Sequence, residues 1–161
     1  MKKILPILAF IFIQLTPSVF FAQNKEYGKP QAAPLNPTKG MGVVGHNHVA
    51  LQVESIEISA KFYRDIVGLE QIEVPDSLKT KRAWFNMGNF QMIHLLSGRT
   101  KPVENDRNGS HFSLFVASMD KAEAVMKANN IPFFKQIRFG GVKQIYFSDP
   151  DGYLIELNEK K

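Results

Sequence analysis

The sequence predicts an α+β fold of two βαβββ modules, in which one curled, mixed eight-stranded sheet carries a helix from each module on its outside. Two observations predict this fold. Residues 45–97 and residues 110–159 contain the same order of elements, namely a strand pattern, a helix pattern and three further strand patterns. Each half is also too short to bury its apolar faces alone, so the two modules are expected to share one core.

In the first module, residues 48–53 alternate between polar and apolar side chains with the period of a β-strand. Ser55 can cap a helix that extends to about Val67, because apolar residues recur along one helical face there. Gly68 follows at a position where helices commonly end in a left-handed residue. The remaining strands of this module are predicted at residues 69–74, 82–87 and 90–96.

The second module repeats this order. Residues 111–116 alternate as a strand, and a helix is predicted over residues 119–129, with Asp120 and Glu123 resembling a capping box. Residues 149–152, Asp-Pro-Asp-Gly, form a strong turn signal between the last two strands. The remaining strands are predicted at residues 131–138, 143–147 and 153–158.

The first 22 residues have the pattern of a secretory signal peptide. Lys2 and Lys3 precede the apolar run Ile4–Ile13, and the small residue Ala22 follows at the exit. The run is about half of the ~20 residues that span a bilayer, which favours cleavage near Ala22 over a retained anchor. The mature protein is therefore expected in the periplasm or secreted, without membrane association after cleavage.

Composition excludes several classes of site. The chain has 161 residues, a formal net charge of +5 and no cysteine, so it can form neither a disulfide scaffold nor a Cys-zinc site nor a thiol nucleophile. No run of like charge is long enough to indicate nucleic-acid binding. Residues 23–42 are rich in proline, lack an apolar period and predict a flexible linker before a domain at residues 43–161. Residues 97–110 predict a polar linker between the modules.

Four side chains that can bind a metal occupy matching places in the two modules. His48 and His94 lie 46 residues apart, in the first and last predicted strands of the first module. His111 and Glu156 lie 45 residues apart, in the first and last predicted strands of the second. This coincidence of position indicates a shared metal site.

Strand alternation supports this interpretation. Ile93 and Leu95 flank His94, so the imidazole faces away from the apolar row, and Glu156 is flanked by apolar residues in the same way. An ionised carboxylate in such surroundings is costly unless it is paired or binds a cation. Three imidazoles and one carboxylate suit a divalent transition metal: zinc, iron, manganese, cobalt or nickel. The simpler alternatives are that each histidine is hydrogen-bonded or half-exposed without binding a metal, and that Glu156 forms an ion pair with Lys143.

Four stretches of the chain resemble the vicinal-oxygen-chelate superfamily, which includes glyoxalase I, methylmalonyl-CoA epimerase, extradiol dioxygenases and fosfomycin- and bleomycin-resistance proteins. The resemblance spans residues 45–159 and is carried by residues 48–51, 62–70, 92–96 and 147–157. It implies paired βαβββ modules around one metal, with ligands from the first and last strand of each. On this chain those positions are His48, His94, His111 and Glu156. Glyoxalase I typically carries a carboxylate where this chain has His94.

The resemblance implies a metal-dependent lyase or isomerase that polarises adjacent oxygens of a small substrate, with Glu156 as ligand and general base, and the signal-peptide pattern adds that this protein is exported. One alternative is a non-haem iron dioxygenase. Another is a binding module of the resistance type, in which Phe85, Phe115, Tyr146 and Phe147 line a cleft; packing in the core is the simpler interpretation of these aromatics. Arg99 is a candidate contact for an acidic substrate, with a solvated loop as the simpler interpretation. The cleft could form within one chain or between the chains of a homodimer.

Overall fold

The computed structural model describes residues 35–106 and 108–160. The predicted signal peptide, residues 1–22, therefore lies outside the described residues. Residues 35–47 precede the first strand and are largely exposed. Across the described part of the chain, no helix is both long and apolar enough to cross a membrane.

The first module follows the predicted order. Its elements are β1 (His48–Val53), α1 (Ile56–Lys61), β2 (Glu70–Ile72), β3 (Arg82–Gly88) and β4 (Gln91–Ser97). Ser55 caps α1 as expected, because its side chain accepts a hydrogen bond from the Ile58 amide. The helix continues as a π-helical segment, Phe62–Ile66. It ends before Gly68, whose φ of 82° is accessible to glycine at little cost.

The second module contains β5 (His111–Val116), α2 (Met119–Ala128), β6 (Phe133–Ile137), β7 (Lys143–Ser148) and β8 (Leu154–Glu159). The prediction that Asp120 and Glu123 form a capping box is wrong. The N-cap of α2 is Ser118, whose side chain accepts a hydrogen bond from the Lys121 amide. Asp120 lies inside the first turn instead, where a negative charge favours the helix dipole.

Backbone hydrogen bonds arrange the described strands in the orders β1-β4-β3-β2 and β5-β8-β7-β6. In each module the first and last strands pair in parallel, and the other pairs are antiparallel. The predicted α+β fold of two βαβββ modules is confirmed. The eight strands form two four-stranded sheets, one per module, and β1 and β5 are edge strands.

The apolar faces of both sheets contribute to a single core. Leu51 and Ile93 of the first sheet belong to the same buried cluster as Ile145 and Ile155 of the second. Side chains alternate across a strand, so neighbouring polar residues such as His94 and Glu156 lie on the opposite face of each sheet. Burial of the apolar rows therefore decides where the candidate ligands lie.

A buried polar junction joins the modules where the β7–β8 turn meets α1. Asp151 accepts a hydrogen bond from Ser59 at 2.6 Å and from Arg99 at 2.7 Å. Arg99 also bonds Glu54, so its guanidinium is used within the fold, and the predicted role as a contact for an acidic substrate is not supported. Gly152 permits the turn: its φ is 94°, and a Cβ there would lie 2.3 Å from the Val103 carbonyl oxygen.

Tyr63 connects α1 to the same turn, and its replacement by phenylalanine tests this junction. Tyr63 is fully buried and its hydroxyl donates to Asp149 Oδ2 at 2.8 Å. We expect Tyr63→Phe to lower the free energy of unfolding by about 1–2 kcal/mol, because Asp149 loses a buried donor. Urea denaturation measures this change.

The loss in Tyr63→Phe is expected to depend on pH. Burial raises the pKa of the Asp149 carboxyl, while the hydrogen bond from Tyr63 acts to lower it. Without the Tyr63 hydroxyl, the pKa of Asp149 in the folded protein is raised further above its value in the unfolded chain. The variant therefore loses more stability than the wild type as the pH rises through the folded-state pKa of Asp149. The difference from wild type should be larger at pH 7 than at a pH where Asp149 is protonated. Tyr153→Phe, which removes an exposed hydrogen bond to Gln52, is the matched control. Equal losses of stability in Tyr63→Phe at both pH values would contradict the role given to the Tyr63–Asp149 bond.

Candidate metal centre

The first sheet brings its two candidate histidines into contact. The ring centroids of His48, on β1, and His94, on β4, are 4.1 Å apart, and the rings are inclined by 15°. Trp84 lies opposite His94 on β3, with ring centroids 4.9 Å apart. Because β4 lies between β1 and β3, the three rings form a stack on the face turned away from the core.

The His94 ring contains an unpartnered nitrogen. Its Nε2 is the one buried side-chain nitrogen or oxygen among the described residues that has no hydrogen-bond partner. Burial, and then the proximity of His48, lower the pKa of His94. Both effects favour the neutral imidazole, which is the form that binds metals. A buried nitrogen without a partner is costly, and a metal ligand is a role that fits it.

The second sheet joins its two candidate residues directly. His111 Nε2 lies 3.1 Å from Glu156 Oε2, and His111 Nδ1 lies 2.8 Å from the Gly109 carbonyl oxygen. A carbonyl can only accept a hydrogen bond, so Nδ1 carries the proton of the neutral ring. Nε2 then directs a lone pair at the carboxylate. A divalent metal ion between Nε2 and the carboxylate would accept both lone pairs, so this pair fits a metal site.

Glu156 is buried, and donors surround its carboxylate. Gln144 and Asn158 each donate to Oε1 at 2.5 Å, and the Tyr146 hydroxyl donates to Oε2. Burial alone raises the pKa of the Glu156 carboxyl, but hydrogen bonds from Tyr146 and Asn158 and the nearby His111 outweigh it and lower the pKa overall. Burial and the bond to Glu156 raise the pKa of Tyr146 to about 12. The side chain that faces the Glu156 carboxylate is therefore His111, and the alternative ion pair with Lys143 is not formed.

The structure brings the four predicted ligands together as two pairs. Within residues 35–106 and 108–160 of one chain, no three or more histidine, aspartate or glutamate side chains lie close enough to bind one ion. The pairs occupy the outer faces of two sheets whose inner faces share one core. A single chain therefore holds two separate candidate half-sites, His48 with His94 and His111 with Glu156.

Several residues that contact the predicted ligands were missed or assigned other roles. Trp84 was not predicted as part of the site, and Tyr146 was proposed only among the aromatics of a cleft or of the core. Gln144 and Asn158 were not singled out, although strand parity with Tyr146 and Glu156 could have assigned them to the same face. Of the other aromatics proposed for a cleft, Phe85 and Phe147 belong to the core and Phe115 is 62% exposed.

Comparisons with known proteins agree with this architecture. Residues 45–157 match the model of the Glyoxalase/Bleomycin resistance protein/Dioxygenase superfamily. The chain is 30% identical over 119 residues to Glyoxylase I 4 of Arabidopsis thaliana, covering 69% of this chain and 68% of that protein. It is 26% identical over 122 residues to the metallothiol transferase FosB of Staphylococcus haemolyticus, covering 72% and 84%.

Solved structures share the fold. A glyoxalase family protein from Bacillus anthracis superposes with a TM-score of 0.62 at 27% identity, covering 74% of this chain and 97% of that one. A glyoxalase/dioxygenase from Nostoc punctiforme gives a TM-score of 0.64 at 23% identity, covering 83% and 98%. With two βαβββ modules and a family match over most of its length, this chain belongs to the Glyoxalase/Bleomycin resistance protein/Dioxygenase superfamily, also known as the vicinal-oxygen-chelate superfamily.

Proposed function

We propose that this protein is an enzyme that uses a divalent transition metal, held by His48, His94, His111 and Glu156, to act on a small substrate with adjacent oxygens. The observation that carries the proposal is the contact between His111 Nε2 and Glu156 Oε2, which places a ring nitrogen and a carboxylate oxygen within reach of one metal ion. The unpartnered Nε2 of His94 supports a ligand role in the other module. The relatives glyoxylase I and metallothiol transferase support a metal-dependent reaction.

We further propose that two copies of the chain complete the site. Each chain carries its two half-sites on separate faces, so the first sheet of one copy and the second sheet of its partner together supply all four ligands. The edge strands β1 and β5, which carry His48 and His111, support such an arrangement. Phe115, exposed on the same face as Glu156, offers apolar surface for a second copy to cover.

The residues around the half-sites support a division of roles. When bound, the metal would polarise a substrate carbonyl as a Lewis acid. Both Glu156 oxygens accept hydrogen bonds and its pKa is low, which favours a ligand role over the general-base role expected from the sequence. The Tyr146 hydroxyl holds its proton toward Glu156 Oε2. A lyase or isomerase reaction remains the class we propose.

Elemental analysis of the purified protein tests the proposal. We expect a transition metal in the wild type and its loss in His111→Ala, with His46→Ala, at an exposed histidine that precedes β1, as the control. Sedimentation velocity should give a dimer. Iron together with oxygen uptake would favour the dioxygenase alternative, whereas a protein that neither contains nor takes up metal would contradict the proposal.

The single tryptophan gives an independent measure of the first half-site. Trp84 is stacked on His94, and the chain has no other tryptophan. We expect added Co²⁺ to quench its fluorescence in the wild type, because a paramagnetic ion bound by His94 lies close to the indole. His94→Ala should lose this saturable quenching, and His46→Ala should keep it. Quenching that persists in His94→Ala would remove His94 from the ligand set.

We also propose that the chain is exported. Lys2, Lys3, the apolar run Ile4–Ile13 and the small residue Ala22 support a cleaved signal peptide. Expression of the full chain in a bacterium should yield a periplasmic or secreted protein whose new N-terminus lies close to residue 23. A cytoplasmic protein that retains residues 1–22 would contradict export.

A further inference from the structure

Three amide side chains form a row across the second sheet, next to Glu156. Gln136 on β6 is paired in register with Gln144 on β7, and Gln144 is paired with Asn158 on β8. We refer to Gln136, Gln144 and Asn158 as the amide row. All three lie on the same face of the sheet as Glu156, so the row borders the second half-site.

The hydrogen bonds of this row run in one direction. Gln136 Nε2 donates to Gln144 Oε1 at 2.8 Å, and Gln144 Nε2 donates to Asn158 Oδ1 at 2.9 Å. Asn158 Nδ2 donates to Ser113 Oγ at 2.7 Å. Since each accepting oxygen already has its donor, neither Gln144 nor Asn158 can rotate its amide without losing a bond.

The remaining amide protons meet at one atom. Gln144 Nε2 and Asn158 Nδ2 each donate to Glu156 Oε1 at 2.5 Å, and these bonds use the second proton of each group. Glu156 Oε2 instead accepts a hydrogen bond from the Tyr146 hydroxyl and faces His111 Nε2. The two carboxylate oxygens therefore have different surroundings: amides hold one, and the other lies beside the candidate ligand His111.

We propose that Gln144 and Asn158 are positioning residues, which clamp Oε1 of Glu156 so that Oε2 alone is presented as the metal ligand. The inference rests on the proposed function, because it assigns a role to Glu156 at the metal. Outer contacts of this kind fix the orientation of a ligand, and their removal typically weakens metal binding. Gln144 is itself only 2% exposed, so the clamp is part of the packed sheet.

Near-isosteric apolar variants test the clamp. Gln144→Met and Asn158→Leu remove the donors and keep the volume. In full-length protein, competition with a chromophoric chelator should show Zn²⁺ binding weaker by about 10–100-fold in each variant. Gln136→Met removes only a support of Gln144, so a smaller weakening is expected. Gln71→Met, on an exposed position of β2, is the matched control and should bind Zn²⁺ as the wild type does.

A metal-free measurement separates this inference from the proposed function. The carboxyl ¹³C resonance of Glu156, assigned by its loss in Glu156→Gln, should shift in Gln144→Met and Asn158→Leu but not in Gln71→Met. If the wild type binds no Zn²⁺, the proposed function fails. The shift of this resonance then tests by itself whether Gln144 and Asn158 hold Glu156 Oε1. Wild-type Zn²⁺ affinity in both variants would overturn the positioning role, even with a lower free energy of unfolding. An unchanged Glu156 resonance would also overturn it. Should both variants fail to fold, wild-type Zn²⁺ affinity in Gln136→Met would overturn it.

Discussion

Replacement of Asp151 by alanine is expected to lower the free energy of unfolding by about 3 kcal/mol, because each buried donor left without an acceptor costs roughly 1–3 kcal/mol. The Asp151 side chain is 3% exposed and accepts hydrogen bonds from the β1–α1 connection, from α1 and from the linker between the modules. Its donors are the Glu54 amide at 2.8 Å, the Ser59 hydroxyl at 2.6 Å and the Arg99 guanidinium at 2.7 Å. Chemical denaturation measures the loss, with a matching fall in melting temperature.

A matched variant and a double-mutant cycle make this prediction specific. Asp76→Ala removes a carboxylate whose side chain is 91% exposed, and a change within about 0.5 kcal/mol is expected. Combining Asp151→Ala with Arg99→Met should give less than the sum of the single losses, because the two side chains share one contact. Strict additivity, or equal losses in Asp151→Ala and Asp76→Ala, would show that the junction does not hold the modules together.

Glu156→Gln is expected to weaken metal binding by at least about 100-fold, since loss of a ligand should exceed the 10–100-fold effect of losing an outer contact. The substitution removes the negative charge, and it turns one carboxylate oxygen into an amide that faces the donors Tyr146, Gln144 and Asn158. Calorimetric titration of the metal-free protein with Zn²⁺ measures the change.

The control for this variant lies on the same strand. Glu159 is on the opposite face of β8 and accepts from the Met119 amide, and glutamine can keep that bond, so Glu159→Gln should bind metal as the wild type does. If Glu156→Gln retains wild-type affinity, Glu156 is not a ligand. Once a substrate is known, turnover per bound metal in Glu156→Gln measures separately whether Glu156 also acts as a base.

Local patterns in the sequence predicted most of the fold because they have short-range physical causes. The alternation of apolar and polar residues located β1 and β5 to within a residue, since a strand with one buried face must alternate with period two. The cap of α1 at Ser55 was found because capping involves neighbouring residues. The cap of α2 was missed because Ser118 and Asp120 both suit a helix N-terminus, and only the backbone conformation distinguishes them.

For the candidate site, the sequence by itself determined that His48, His94, His111 and Glu156 lie on the polar faces of their strands, because parity follows from the apolar neighbours. Only the tertiary structure decided what each side chain contacts. His48 stacks on His94, His111 meets Glu156, and the two pairs lie on separate faces of one chain. These contacts depend on strand register and on how two modules pack through a shared core. Both are long-range properties, which the period of a single strand does not encode.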